Sequence, residues 1–220
     1  MDYSLLEPLN EYLIAELDCD NDISKWTEKY SNDYAFLFDL FDAIEEENDI
    51  TDQNNNIKYE KRDDIWSITS DTFDFEIDEI TIRKVVQLTA DMLTPILPLG
   101  TVVDLKKDVM EKDFSIENVE NFRFVITERL LYLEDGEMYM PYGGKIYPLG
   151  NFAGEESLYF TDALIDEVVY KGFADEVEEQ FVNAIKNELI LKKGMCSIAF
   201  AKEELKEKIA EALKEEHADE

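Results

Sequence analysis

The chain has 220 residues, 45% of them apolar, and a formal charge of -32 with a sequence pI near 4.1. Such a length buries a sizeable core in one large or two small domains. The charge repels nucleic-acid phosphates and anionic lipid, which argues against both as partners and draws basic proteins in at long range, although solubility alone is also served by it. The acidity is no detachable tail: residues 1–95 hold 25 acids and 7 bases, and residues 96–220 hold 28 and 14.

The opening MDYSLLEPLNEYL has an acid at position 2, no basic segment and no uninterrupted apolar core, so no secretion signal is expected. Leu5, Leu6, Leu9, Leu13 and Leu17 recur at helical spacing and predict a first helix with Pro8 in its first turns. A second helix is predicted from Ser24 as N-cap, through Trp26, Tyr30, Tyr34, Leu37, Phe38, Phe41 and Ile44, until EEENDITDQNNN ends the pattern. Its aromatic stripe reads as core packing. Between these helices, DCDNDISKWTEK places Asp18, Asp20 and Asp22 at the first, third and fifth positions of a calcium loop. Ile23 stands where that loop needs Gly and Lys29 where it needs a bidentate Glu, so a solvated turn is expected and no metal.

After the Asn cluster the period changes to two around Ile65–Ser70 and Phe73–Ile77, which predicts short strands. A third helix is predicted over 81–93, and TPILPLG reads as a domain boundary. Beyond it, TVVDL, FRFVIT, LEDGEMYM with its Asp135-Gly136 turn, and DEVVYKGF read as strands. ADEVEEQFVNAIKNELI and KEELKEKIAEALKEEHADE read as amphipathic helices, the last docking either on the domain or on a partner. The fold class expected is α+β: a helical N-terminal half with short strands (1–95), then a small, mainly antiparallel β domain with C-terminal helices (96–220).

Four of the eight glycines fall in YGGKIYPLGNFAG, Tyr142–Gly154. Neither phosphate-loop spacing occurs, Pro148 removes a backbone donor, and an acidic run follows, so no nucleotide cofactor is expected. Gly143-Gly144 is read as a hairpin turn, and Gly150 and Gly154 as bends with positive φ. The single histidine, His217, and two distant cysteines, Cys19 and Cys196, fit neither Ser-His-Asp nor Cys-His catalysis nor a zinc site. Glycosidase-type carboxylate pairs have no support beyond the abundance of acids. No catalytic residue is assigned, and the chain is expected not to be an enzyme. A reducing cytoplasm is the expected location.

In order, LPLGTVVDLK (Leu97–Lys106), FRFVITER (Phe122–Arg129), MYMPYGGKIYPLGN (Met138–Asn151), LYF (Leu158–Phe160) and IDEVVYKGFADEVEEQF (Ile165–Phe181) carry a likeness. Together they resemble a small domain family of Gram-positive bacteria found beside LXG polymorphic toxins of the type VII secretion system. The segment 107–122 is longer than that family's usual link, and residues 1–95 have no counterpart in it. The resemblance implies a cytoplasmic chaperone or targeting adaptor that binds such a toxin before export. The alternative is an immunity protein that covers the toxin's active site, and an acidic nucleic-acid mimic is a third reading. The partner expected is a basic or aggregation-prone protein. Partner-binding residues are expected among the aromatics of the glycine-rich edge, Tyr139, Tyr142, Tyr147 and Phe152, since aromatics anchor interfaces; packing in the domain's own core is the competing role for them.

Overall fold

The computed structural model describes residues 5–31, 33–114, 121–132, 136–151 and 157–201, without side chains for 112–114. The fold is α+β, and its strand pairs are antiparallel. The chain divides into two compact units. The first comprises residues 1–95 with 180–196, the second 96–179 with 197–220. The return of 180–196 to the first unit departs from the linear division read from the sequence.

In the first unit, helix α1 (Leu6–Leu17) buries Leu6, Leu9 and Leu13, the i, i+3, i+7 stripe that its leucine spacing dictates. The single second helix expected from the aromatic spacing is two helices, α2 (Ile23–Tyr30) and α3 (Phe36–Glu45). Helix α2 stops at Tyr30, and Ser31, still with helical φ and ψ, bonds back to the Glu28 carbonyl through both its N–H and its hydroxyl in a tightened last turn. Asp22, not Ser24, occupies the cap position of α2.

A four-stranded meander follows in the order β1 (Ile50–Asp52), β2 (Ile57–Arg62), β3 (Ile65–Thr69), β4 (Asp74–Asp78). β2 and β4 alternate buried and exposed residues, so Ile57, Tyr59, Phe75 and Ile77 face the core. Asp78 then caps helix α4 (Glu79–Leu93), its Oδ1 accepting from Thr81 N at 3.0 Å. At the other end of α4 the buried Lys186 ammonium donates to the carbonyls of Asp91 and Met92, each at 3.0 Å, and of Thr94. Three donors meet three carbonyls at the negative end of a helix, which is how a buried cation is tolerated there.

Two tyrosines lie at the centre of this unit. Trp26 Nε1 donates to Tyr59 Oη at 2.7 Å, and the Tyr59 and Tyr30 hydroxyls bond each other, all three side chains fully buried. Burial pushes both phenols well above their ordinary pKa; for Tyr30 the neighbouring Tyr59 and the Asp52 carboxylate push the same way.

The second unit has a sheet ordered β9-β5-β6-β7, formed by β5 (Val102–Leu105), β6 (Phe122–Tyr132), β7 (Met138–Ile146) and β9 (Ile165–Tyr170), with β8 (Leu158–Phe160) also pairing on β7. Helix α5 (Lys107–Phe114) fills part of the long link after β5. Val103, Leu105, Met110, Phe122, Phe124, Ile126, Tyr142 and Phe160 form the core, and the Tyr142 and Phe160 rings lie 5.6 Å apart. Helix α6 (Glu176–Lys186) begins in this unit and ends in the first, and a π-helical segment, Asn187–Lys192, continues it.

Candidate interaction surface

The glycine-rich stretch is part of the sheet. Gly143 and Gly144 do not turn the chain as expected; both lie within β7. A Cβ on Gly143 would sit 3.0 Å from the Tyr159 ring and 3.1 Å from Glu128 Cβ, and one on Gly144 would sit 2.9 Å from the Val125 carbonyl oxygen. The pair is there so that β6 and the aromatics of β8 can close on β7. Gly150 does carry a positive φ of 61°. Gly154 lies outside the described residues.

Of the four aromatics expected to bind a partner, Tyr139 and Tyr142 are buried. Tyr142 Oη donates to Asp162 Oδ1 at 2.9 Å and accepts from Leu97 N at 3.2 Å, so ring and hydroxyl are both committed to the unit's interior. Their expected place on a binding edge is corrected accordingly: β7 is buried without alternation from Tyr139 to Gly144, and Tyr142 stands opposite Arg129 on β6 and Phe160 on β8, whose ring packs on its own. Tyr147 is 51% exposed, and its neighbour Leu149 is exposed too. Phe152 lies outside the described residues.

A larger apolar surface lies where the sequence reading placed only a strand. β9 is the last strand on its side of the sheet, and five of its six residues are exposed. Its pairing with β5 matches Val102 with Tyr170, Val103 with Val168, Asp104 with Glu167 and Leu105 with Ile165, which leaves Val169 and Asp166 without partners as bulged residues. Two bulges in six residues break the in-out alternation, and Val168, Val169 and Tyr170 all reach solvent. Phe173 and Val177 follow, 81% and 73% exposed, with Tyr170 at 64%.

The backbone between them is held firmly. Gly172 N donates to Thr101 Oγ1 at 3.0 Å, while that buried hydroxyl donates to the Pro98 carbonyl at 2.6 Å. Gly172 packs so tightly that a Cβ there would run into the Leu99 carbonyl oxygen. Asp175 Oδ1 accepts from Val177 N at 3.1 Å and Glu178 N at 3.0 Å and so caps α6, while Glu178 pairs with the nearly buried Arg129. The stretch itself is acidic: Asp166, Glu167, Asp175, Glu176, Glu178 and Glu179 stand against one base, Lys171, between Ile165 and Gln180, with Arg129 paired to Glu178 and Arg123 within reach of Glu167.

In the calcium-like loop, two of the three aspartates spend their carboxylates locally. Asp18 ends α1 in the left-handed conformation, Asp20 Oδ1 accepts from Asp22 N at 2.8 Å, and Asp22 Oδ1 pairs with Lys25 Nζ at 2.7 Å. Among the described residues no three His, Cys, Asp or Glu side chains converge as a metal set, and no helix is long and apolar enough to cross a membrane. Cys19 and Cys196 are free thiols, and burial, with the charges of Asp18 and Asp78 behind it, pushes the Cys19 thiol up to about 11. At neutral pH that side chain is a thiol and a poor nucleophile.

No curated protein and no solved structure matches the chain. The β-rich stretch just described, residues 96–181, matches the family described as a domain of unknown function (DUF4176).

Proposed function

We propose that the protein is a non-enzymatic cytoplasmic binding partner, a chaperone or targeting adaptor that holds an LXG toxin of the type VII secretion system before export. The toxin system comes from the sequence resemblance over residues 97–181. The observation that carries the binding role is the rigid apolar surface of the second unit set in a protein of charge -32. Apolar anchors ringed by one sign of charge suit a basic, aggregation-prone partner: the charge speeds encounter and the apolar groups hold the complex.

Pull-down from the native host, followed by co-expression with the LXG toxin recovered, tests the reading. The expected outcome is a stoichiometric complex, more soluble toxin and more toxin exported, with an association rate that falls steeply as salt shortens the electrostatic range from about 10 Å at 0.1 M to about 3 Å at 1 M. Absence of any complex sinks the proposal. Full rescue of growth against the isolated toxin domain, with no effect on export, replaces it with the immunity reading, which uses the same charge chemistry.

A further inference from the structure

We infer that the surface running from Val168 through Tyr170 and Phe173 to Val177 is the docking site for a basic segment of the partner, one that alternates or intersperses Lys or Arg with apolar side chains. The inference rests on the binding role proposed above and specifies where, and with what chemistry, it is exercised.

Three observations carry it. The first is the concentration of large apolar groups on one short stretch: Val168, Val169, Tyr170, Phe173 and Val177 are all exposed, and Leu99, whose carbonyl abuts Gly172, is exposed beside them. Single exposed apolar residues are ordinary on a protein surface, but a contiguous group of this kind marks an interaction site.

The second is the rigidity of its support. Thr101 and Leu99 fix Gly172, and Asp175 fixes the start of α6. Phe173 is thus held between two anchored points. Ordering side chains on binding costs affinity, and a preset backbone reduces what remains to be ordered.

The third observation selects the occupant. Between Ile165 and Gln180 lie six acids and one base; Arg129 takes up Glu178 and Arg123 lies within reach of Glu167, which leaves Asp166, Asp175, Glu176 and Glu179 against Lys171 as the excess that complements Lys and Arg. A second copy of the chain brings another -32 of charge and the same acids to the contact. The chain's own residues 202–220 carry eight acids against four Lys, the wrong sign for this rim. The bulges at Asp166 and Val169 also interrupt edge-to-edge pairing with another β9, a usual defence of sheet edges. A basic, apolar segment is the occupant that both the charge and the apolar groups favour.

The test uses the full chain and a fluorescent peptide alternating Lys with Val and Tyr, read by anisotropy, beside two control peptides. In one Glu replaces Lys; in the other Ser replaces Val and Tyr. The Lys-Val-Tyr peptide is expected to bind and the Glu peptide not to. The Lys-Ser peptide is expected to bind weakly through charge alone. Phe173→Ser combined with Val177→Ser is expected to weaken the Lys-Val-Tyr peptide about tenfold or more. Both residues are exposed, so the melting temperature should hold. Ile80→Ser, which removes a side chain 79% exposed on α4 in the first unit, serves as the control and is expected to change nothing.

Unchanged affinity in the double variant overturns the inference, as does equal binding of the Glu peptide. A concentration-dependent dimer abolished by Phe173→Ser assigns the surface to a second copy. A large gain in peptide binding on deleting residues 203–220 assigns it to the tail. Co-expression with the toxin separates this inference from the wider reading. A complex formed equally by wild type and the double variant leaves the adaptor role standing and removes this surface from it, whereas a toxin bound by neither removes the role itself.

Discussion

At the scale of single residues, the glycines show two different needs that the sequence writes with one letter. Gly144 is required by space and Gly150 by conformation. Gly144→Ala is expected to destabilise by about 1–3 kcal/mol, because its Cβ would lie 2.9 Å from a backbone carbonyl that cannot move without parting β6 from β7. Gly150→Ala meets nothing within 4 Å and should cost only the left-handed conformation, about 1–2 kcal/mol. Denaturant melts of the two variants check this, and equal losses with Gly144→Ser and Gly150→Asn would contradict it, since Asn tolerates φ 61° and no side chain relieves the clash at Gly144. The buried phenols make the other residue-scale prediction. Tyr30 and Tyr59 stay protonated in the folded state well above 10.0, the value of a free tyrosine, so the unfolded chain loses these protons first. Their stabilising contribution is complete below pH 10 and lost as pH rises above it. Alkaline titration followed by tyrosinate absorbance should show these two rings ionising only as the protein unfolds, and Tyr30→Phe should narrow that loss.

At the scale of elements, the two ends of α4 are closed by different chemistry. Asp78 closes the N-terminus, and hydrogen bonds from Thr81 hold its carboxyl below the ordinary 3.8. Asp78→Ala is expected to cost about 1 kcal/mol at neutral pH. Because the folded value is the lower one, that difference is present above pH 3.8 and shrinks as pH falls through it, which stability curves of the two proteins at several pH values measure. Lys186 closes the C-terminus. Lys186→Met keeps the volume but strands three carbonyls, for an expected loss of about 2–3 kcal/mol by thermal denaturation. Leucine spacing made α1 legible, and isoleucine and valine spacing did the same for α4. α2 and α3 merged in the sequence because the aromatic rhythm from Trp26 to Phe41 continues across the break at Ser31. β2 is not legible from pattern alone, since IKYEKR alternates only with Lys58 and Glu60 as its outward side. The β7 glycines read as a turn because the reason for them, Tyr159 and Phe160 on another strand, is remote in sequence. The apolar surface was half legible: the strand at Val168–Tyr170 was evident, but its exposure follows from bulges set by pairing with β5.

For the whole molecule the charge dominates. A net -32 spread over both halves of the sequence repels itself in the compact state more than in the expanded one. Raising NaCl from 0.01 M to 0.15 M shortens the screening length from about 30 Å to about 8 Å and should raise the melting temperature, with no such rise for a variant in which several exposed acids become Gln or Asn. A melting temperature indifferent to salt would show that the charges are spaced widely enough not to oppose folding.

The assignment of residues 180–196 to the first unit has a consequence for the order in which the protein is made. Lys186, which closes α4, and Leu189, Ile190 and Leu191, which are buried, are synthesised about ninety residues after α4 itself. A nascent chain that has emerged as far as Pro95 therefore presents the ribosome exit with a helix whose last carbonyls have no cation and a core that lacks its final piece. It must wait through the whole of β5 to β9, several seconds at about 5–20 residues per second. In that interval the protein proposed here to shield another chain is itself a client, and ribosome-bound intermediates stalled between residues 95 and 196 should be protease-sensitive in the first unit and become resistant only once residue 196 has cleared the tunnel.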